Sequence, residues 1–147
     1  CRADCLQPVA ARAETCYGLV ATTARSPGET AESVHDFSRG AVRDALERSG
    51  APGAPCFDDG DAGLEALVQS LASDGVDTVH VAWALYGPVA DTLHALVPRL
   101  RKAGMTLQSH VRDLDRAAWP FADRGFFRLR KQIPRVIEQL NAGTAHA

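Results

Sequence analysis

Asp58-Asp59-Gly60-Asp61 sets three carboxylates within four residues, directly after a short apolar run and just before a helical pattern. Open α/β sheets receive their ligands in this place, outside the carboxyl ends of the strands. Carboxylates so spaced could hold a hard cation such as magnesium through their oxygens and waters. Asp and Gly are also favoured in turns on local grounds, so a turn with a helix cap is the simpler reading of the same four residues. A second stretch, Ala84-Leu85-Tyr86-Gly87-Pro88, follows the most strand-like segment and opens onto a helix N-terminus, whose free backbone donors favour an anion such as phosphate. The candidate ligand set is therefore Asp59, Gly60, Asp61, Tyr86 and Gly87. Neither stretch carries the complete glycine-rich dinucleotide or P-loop fingerprint.

The remaining chemistry-bearing residues are dispersed. His35 and His94 fall on helical patterns, His80 and His110 on strands, and no Ser-His-Asp or Cys-His-Asn pattern can be assigned from their order. Structural or surface roles are expected for them. Cys1, Cys5, Cys16 and Cys56 include none of the paired C-x-x-C spacings of zinc sites, and a chain of this size needs no disulfide staples. Free thiols are expected.

Positioning these loops requires a layered scaffold, and its pattern is present. Val76-Asp77-Thr78-Val79-His80-Val81-Ala82-Trp83 is rich in β-branched and aromatic residues and reads as a strand. Tyr86-Gly87-Pro88 breaks it, a helix follows from Pro88 to Lys102 with Val89, Leu93, Leu96, Val97 and Leu100 inward, and Met105 to Val111 alternates as a second strand. Pro98 is a candidate bend. Parallel strands need a crossover of this length, so the segment is a βαβ unit. Upstream, Arg2 to Thr15 is helical in composition, Tyr17 to Thr23 reads as a strand, and a helix runs from about Thr30 to Ser49. Thr30 and Ser33 are its candidate caps, and Val34, Phe37, Ala41, Val42, Ala45 and Leu46 form its apolar stripe. Cys56-Phe57 supplies a short strand, and Leu64, Leu67, Val68 and Leu71 share one face of the next helix, with Asp61 as its cap.

The predicted fold class is α/β: an open, mostly parallel, Rossmann-like sheet of about four strands with helices on both faces, plus a C-terminal helical tail. The α/β domain takes residues 1–113 and the tail 114–147. A chain of 147 residues is one domain's length, and 46% hydrophobic against 23% charged residues is an ordinary globular balance. A net charge of -2 offers no global attraction to nucleic acid or anionic membrane. No run reaches the roughly 18 apolar residues of a membrane span, and a cytoplasmic protein without a membrane partner is expected. Because the chain opens on Cys1 and not on Met, an upstream portion carrying the first strand is expected to be missing.

The tail departs from this average. Arg112 to Leu140 holds seven basic and four acidic residues, a local net of +3 that leaves about -5 for the remainder. Along a helix, Phe126, Leu129, Ile133, Val136, Ile137 and Leu140 share one face, while Arg124, Arg128, Lys131 and Arg135 line another. The basic face, with Trp119, Phe121, Phe126 and Phe127, could meet nucleic acid. Docking is favoured, onto the α/β domain itself or, through residues 114–140, onto a protein partner or second domain, since the apolar face demands burial and Arg stems cover apolar surface readily. Pro134 leaves one helix and two short helices equally open.

The succession as far as Val111 resembles the N-terminal α/β domain of the photolyase and cryptochrome family. Cys1-Arg2-Ala3-Asp4-Cys5-Leu6-Gln7-Pro8-Val9 is similar to the end of that domain's first helix. Ala54-Pro55-Cys56-Phe57-Asp58-Asp59-Gly60-Asp61 with Leu64-Glu65-Ala66-Leu67 is similar to its third strand and following helix, and Gly75 to Val81 with Tyr86-Gly87 to its fourth strand and loop. The resemblance implies a light-harvesting, flavin-like or nucleotide-like cofactor at the strand ends. It does not extend to the family's large helical domain, so no catalytic-flavin or DNA-lesion residue carries over. The expected function is an accessory α/β domain that binds such a ligand without catalytic residues of its own. The alternatives are a small metal-dependent phosphate- or nucleotide-handling enzyme using Asp58, Asp59 and Asp61, and a protein-interaction module without ligand.

Overall fold

The computed structural model describes residues 13–21, 28, 30–122 and 125–144. The expected helix over residues 2–15 lies almost wholly outside the described residues, as do Cys1 and Cys5. The described elements are β1 (Gly18–Val20), α1 (Glu32–Arg48), β2 (Cys56–Asp58), α2 (Asp61–Ser73), β3 (Thr78–Ala82), α3 (Pro88–Lys102), β4 (Thr106–His110), α4 (Asp113–Ala118), a 3-10 turn (Trp119–Phe121) and α5 (Phe126–Thr144). The chain divides after Ser109 into two compact units.

In the first unit, helix ends and strand starts are set by the same few residues. Gly75 (φ 68°) and Gly104 (φ 81°) occupy the left-handed position after α2 and α3, where a Cβ would be strained. The next amide then reaches back into the helix: Val76 N–H donates to Leu71 O at 3.0 Å and Met105 N–H to Leu100 O at 2.9 Å. This closure satisfies carbonyls that the helix leaves open and turns the chain directly toward β3 and β4. Met105, Leu71 and Leu100 sit in one buried cluster with Leu64, Leu67, Val68 and Leu96, and Val76 packs against it.

Every strand contributes one side chain to that cluster, namely Leu19, Phe57, Val79 and Leu107. Successive strand residues point to opposite faces, so Gly18 and Asp58 point the other way, toward α1. There Arg39 pairs with Asp58 at 3.3 Å, and Gly18 lies so close that a Cβ would come within 2.7 Å of Val42 Cγ1. The unit is thus layered, with α2 and α3 on one face and α1 on the other, and its α/β class is as expected.

Among the described residues the four strands do not pair into a single sheet. β1 pairs in parallel with β2, in the register Gly18↔Cys56, Leu19↔Phe57 and Val20↔Asp58, and β3 pairs with β4, giving two short parallel two-stranded sheets. With three residues, β1 is shorter than the run from Tyr17 to Thr23 suggests, whereas β2 is the short strand expected after Pro55.

That shortness also changes the role of α1. Seventeen residues of helix span about 25 Å, whereas three residues of strand span about 10 Å. The stripe is therefore buried only toward its C-terminal end, at Leu46, while Phe37 is 76% exposed. The caps differ too. The N-cap position is taken by Ala31 in α1 and by Gly60 in α2, and not by Thr30, Ser33 or Asp61. In α3, Leu96 and Leu100 point inward as expected, but Ala90 and Thr92 are buried where Val89 is exposed. Pro98 lies inside α3 without interrupting it.

In the second unit, Arg112 holds Asp115 through two bonds, Nε to Oδ2 at 2.6 Å and Nη2 to Oδ1 at 2.8 Å. α5 is one helix with Pro134 inside it, which removes the two-helix alternative. Val136 is buried at 3% exposure, whereas Phe126, Phe127, Ile133 and Ile137 are exposed. The Arg135 guanidinium lies 5.8 Å from the Phe121 ring centroid, in cation–π range. No described helix is long and apolar enough to cross a membrane.

Candidate functional site

The sequence separates Asp59 from Tyr86 and Gly87 by more than twenty residues, and the fold brings their loops together through Thr92. Asp59 follows the last residue of β2, where its backbone N–H still donates to Val20 O at 3.2 Å, and it is 7% exposed. Its Oδ2 lies 3.4 Å from Thr92 Oγ1. Thr92 stands in the second turn of α3, and its one hydroxyl proton is shared between Pro88 O, the nearer acceptor at 2.8 Å, and the Asp59 carboxylate. The carboxylate thus lies about one helical turn from Gly87-Pro88, where α3 begins.

Gly87 is the residue before α3 and has φ 94° and ψ -171°, a conformation that a side chain would oppose. As a glycine, the N-cap Gly87 supplies no side-chain cap bond, and the first backbone N–H groups of a helix have no intrahelical acceptor. Beside this helix start, Tyr86 is 88% exposed. A recessed acceptor, uncapped helix-start donors and an exposed aromatic face suit a ligand with hydroxyl groups and a flat ring. The Asp59 carboxylate also favours the positive end of the α3 dipole on its own account, which is the purely structural role of the same contact.

The other acidic residues diverge. Asp58 faces Arg39, and Asp61 pairs with Arg99, Nη2 to Oδ1 at 2.5 Å, with Arg99 Nη1 donating to Asp61 O at 3.1 Å. Among the described residues no three His, Cys, Asp or Glu side chains are grouped to hold a metal. Of the candidate set, the structure thus joins Asp59 to the Gly87 helix start, gives Gly60 the helix-start position of α2, and turns Asp61 to the surface as an ion-pair partner. Cys16 and Cys56 are free thiols.

Three contributors carry no sequence motif. Thr92 is hidden among apolar neighbours of α3, and Arg39 and Arg99 are ordinary helix-face residues. Gly63 does leave a signal. A glycine in the first turn of an otherwise well-patterned helix costs about 1 kcal/mol relative to Ala, and the structure shows the reason. A Cβ on Gly63 would lie 2.1 Å from Asp58 O. The β2 end and the start of α2 approach as closely as glycine allows.

At the opposite, amino end of the strands, Tyr17, Phe57, Ser70, Ser73 and Asp74 line a shallow cavity of about 410 Å³. The Tyr17 hydroxyl donates to Asp74 Oδ2. Burial, and then this bond to a carboxylate, push the Tyr17 pKa above its ordinary value of 10.0. A raised folded-state value means that the associated stability is complete below the unfolded-state value and is lost as pH rises through the folded one. The protein is therefore expected to lose stability above about pH 10, and Tyr17→Phe to remove part of that alkaline slope in urea melts. An unchanged slope would show that the phenol has no linked role.

No family model matches the chain, and no curated protein or solved structure does so either.

Proposed function

We propose that the first unit is an accessory α/β domain that binds a flavin-like or nucleotide-like ligand at the carboxyl ends of β2 and β3, with no catalytic residues of its own. The two strand pairs act as the halves of an open Rossmann-like sheet of about four strands, and the ligand lies where the halves meet. The observation that carries this reading is the recessed Asp59 carboxylate, held beside Thr92 one turn from the Gly87 helix start. Asp59 accepts from ligand hydroxyls, the first amides of α3 donate to the ligand, and Tyr86 covers its ring. The resemblance to the photolyase N-terminal domain supports the same ligand class. A protein partner covers the exposed aromatic face of α5.

The absorbance spectrum of the purified native protein, followed by mass spectrometry of whatever heat releases, is the first test. A released flavin or nucleotide supports the reading. For protein stripped of ligand, titration with flavin mononucleotide is expected to be saturable, and both Asp59→Asn and Tyr86→Ala to weaken it about tenfold, or 1.4 kcal/mol. If flavin mononucleotide, flavin adenine dinucleotide, AMP and ATP all fail to bind up to about 1 mM, where binding free energy falls to about -4 kcal/mol, the proposal is wrong.

A further inference from the structure

The cavity at the amino ends of β1 and β2 lies away from the proposed ligand loops and has a chemistry of its own. Its walls include the Tyr17 and Phe57 rings and the Asp74 carboxylate, with Ser73 from the last turn of α2. Among the described residues no Lys, Arg or His side chain lines it. Its volume of about 410 Å³ falls within the roughly 300–1,000 Å³ of small-ligand sites.

Two sources of negative charge meet at one wall. Asp74 is the residue that ends α2, and α2 has no basic residue in its last turn. The carboxyl end of a helix carries partial negative charge and is stabilised by a nearby cationic side chain. In α3 that match is made by Arg99, Arg101 and Lys102, whereas α2 is followed by a carboxylate, which adds to the charge of the helix end. The Tyr17 hydroxyl donates to Asp74 Oδ2. A neutral donor of this kind fixes the carboxylate in place and leaves its charge intact.

The opposing wall is aromatic. The Tyr17 and Phe57 ring centroids are 6.4 Å apart, with their planes inclined by 33°. Both rings also pack against the buried cluster, so the core sets their positions before any ligand arrives. The face of an aromatic ring attracts a cation within about 6 Å of its centroid, and at this spacing one cation can stand within reach of both.

We propose that this cavity binds a small organic cation, with a methylated ammonium group seated by the Tyr17 and Phe57 rings and beside the Asp74 carboxylate. An anion is repelled here, and a neutral ligand leaves the charge of the helix end and of Asp74 unmatched. A hard metal ion prefers several oxygen ligands, and the cavity offers it a single carboxylate. A methylated ammonium group carries its charge on an apolar surface that suits the rings and the adjoining Pro55 and Ala66. The inference is independent of any ligand at the carboxyl ends of the strands.

The probe is choline chloride, titrated into the full chain at constant ionic strength and followed by NMR of the backbone amides. Saturable shifts are expected at Tyr17, Phe57 and Asp74. The neutral analogue 3,3-dimethylbutan-1-ol keeps the shape of choline without its charge, and it is expected to bind at least about tenfold more weakly. Asp74→Asn alters an exposed side chain and is expected to weaken choline binding about fivefold. Equal binding of the alcohol, undiminished binding by Asp74→Asn, or no saturation by choline up to about 10 mM would each overturn the proposal. So would at least tenfold tighter binding of N-acetyl-trimethyllysine amide, which would place the ammonium group on a polypeptide side chain. The comparison of choline with its analogue uses the unaltered protein and does not depend on a variant that must fold.

Discussion

Leu100→Ala is expected to lower the stability of the first unit by about 3 kcal/mol. Leu100 is fully buried at 0% exposure and lies in the cluster with Leu64, Leu67, Val68, Leu71, Leu96 and Met105. Removing three carbons there loses transfer free energy and leaves a cavity that a close-packed surround fills only in part, for which Leu→Ala changes cost about 2–5 kcal/mol. The site has little freedom to collapse, because Leu100 O also accepts the Met105 N–H that closes α3. Small domains are stable by only about 5–15 kcal/mol, so the loss is a large fraction of the whole. Urea unfolding followed by circular dichroism measures it, with Leu100→Met as the volume-conserving control, expected to cost under about 1.5 kcal/mol. A loss below about 1 kcal/mol for the alanine variant, outside the range for such cavities, would show that the cluster is looser than its burial implies.

Gly63→Ala is the second large effect, and its sign separates two physical arguments. Helix propensity alone favours Ala over Gly by about 1 kcal/mol in a helix interior. The close approach opposes this, since the added Cβ would meet Asp58 O at 2.1 Å and Asp58 C at 2.9 Å, both backbone atoms that no rotamer change can move. Overpacking of this kind costs about 1–3 kcal/mol and more where the backbone must shift. Net destabilisation of about 2 kcal/mol is therefore expected. Because the displaced carbonyl precedes Asp59, the ligand binding proposed above should weaken together with stability. A stabilised Gly63→Ala protein would mean that the β2–α2 junction is more open than the structure has it. Gly40 sits mid-way along α1, and a Cβ added there would meet no atom within 4 Å, which makes it the control. Gly40→Ala is expected to stabilise by about 1 kcal/mol on propensity alone.

The contrast between these two glycines shows what can be read from the chain directly. Both leave the same local signal, a glycine in a helical pattern where Ala would be favoured, and that signal does not tell them apart. Close approach is a property of two segments and becomes visible only when β2 and α2 are placed against each other. Thr92 is similar. A threonine among apolar residues carries no local mark of function, yet its hydroxyl joins the loop after β2 to the start of α3. The acidic tetrapeptide has the opposite fate. Its composition suggests a shared metal site, but Arg39 and Arg99, from two different helices, draw Asp58 and Asp61 apart.

By itself the sequence determined the order of elements, the α/β class, the inward face of α2 and the positions of the glycines that end the helices. These follow from local physics: the period of apolar residues, the β-branched content of short runs, and backbone conformations that only glycine adopts without strain. The tertiary structure decided how the strands are partnered and which carboxylate is recessed. Strand pairing and burial depend on contacts between residues far apart in the chain, whose free energies no local pattern contains. For that reason β1 and β3 could each be recognised as strands, while their pairing could not.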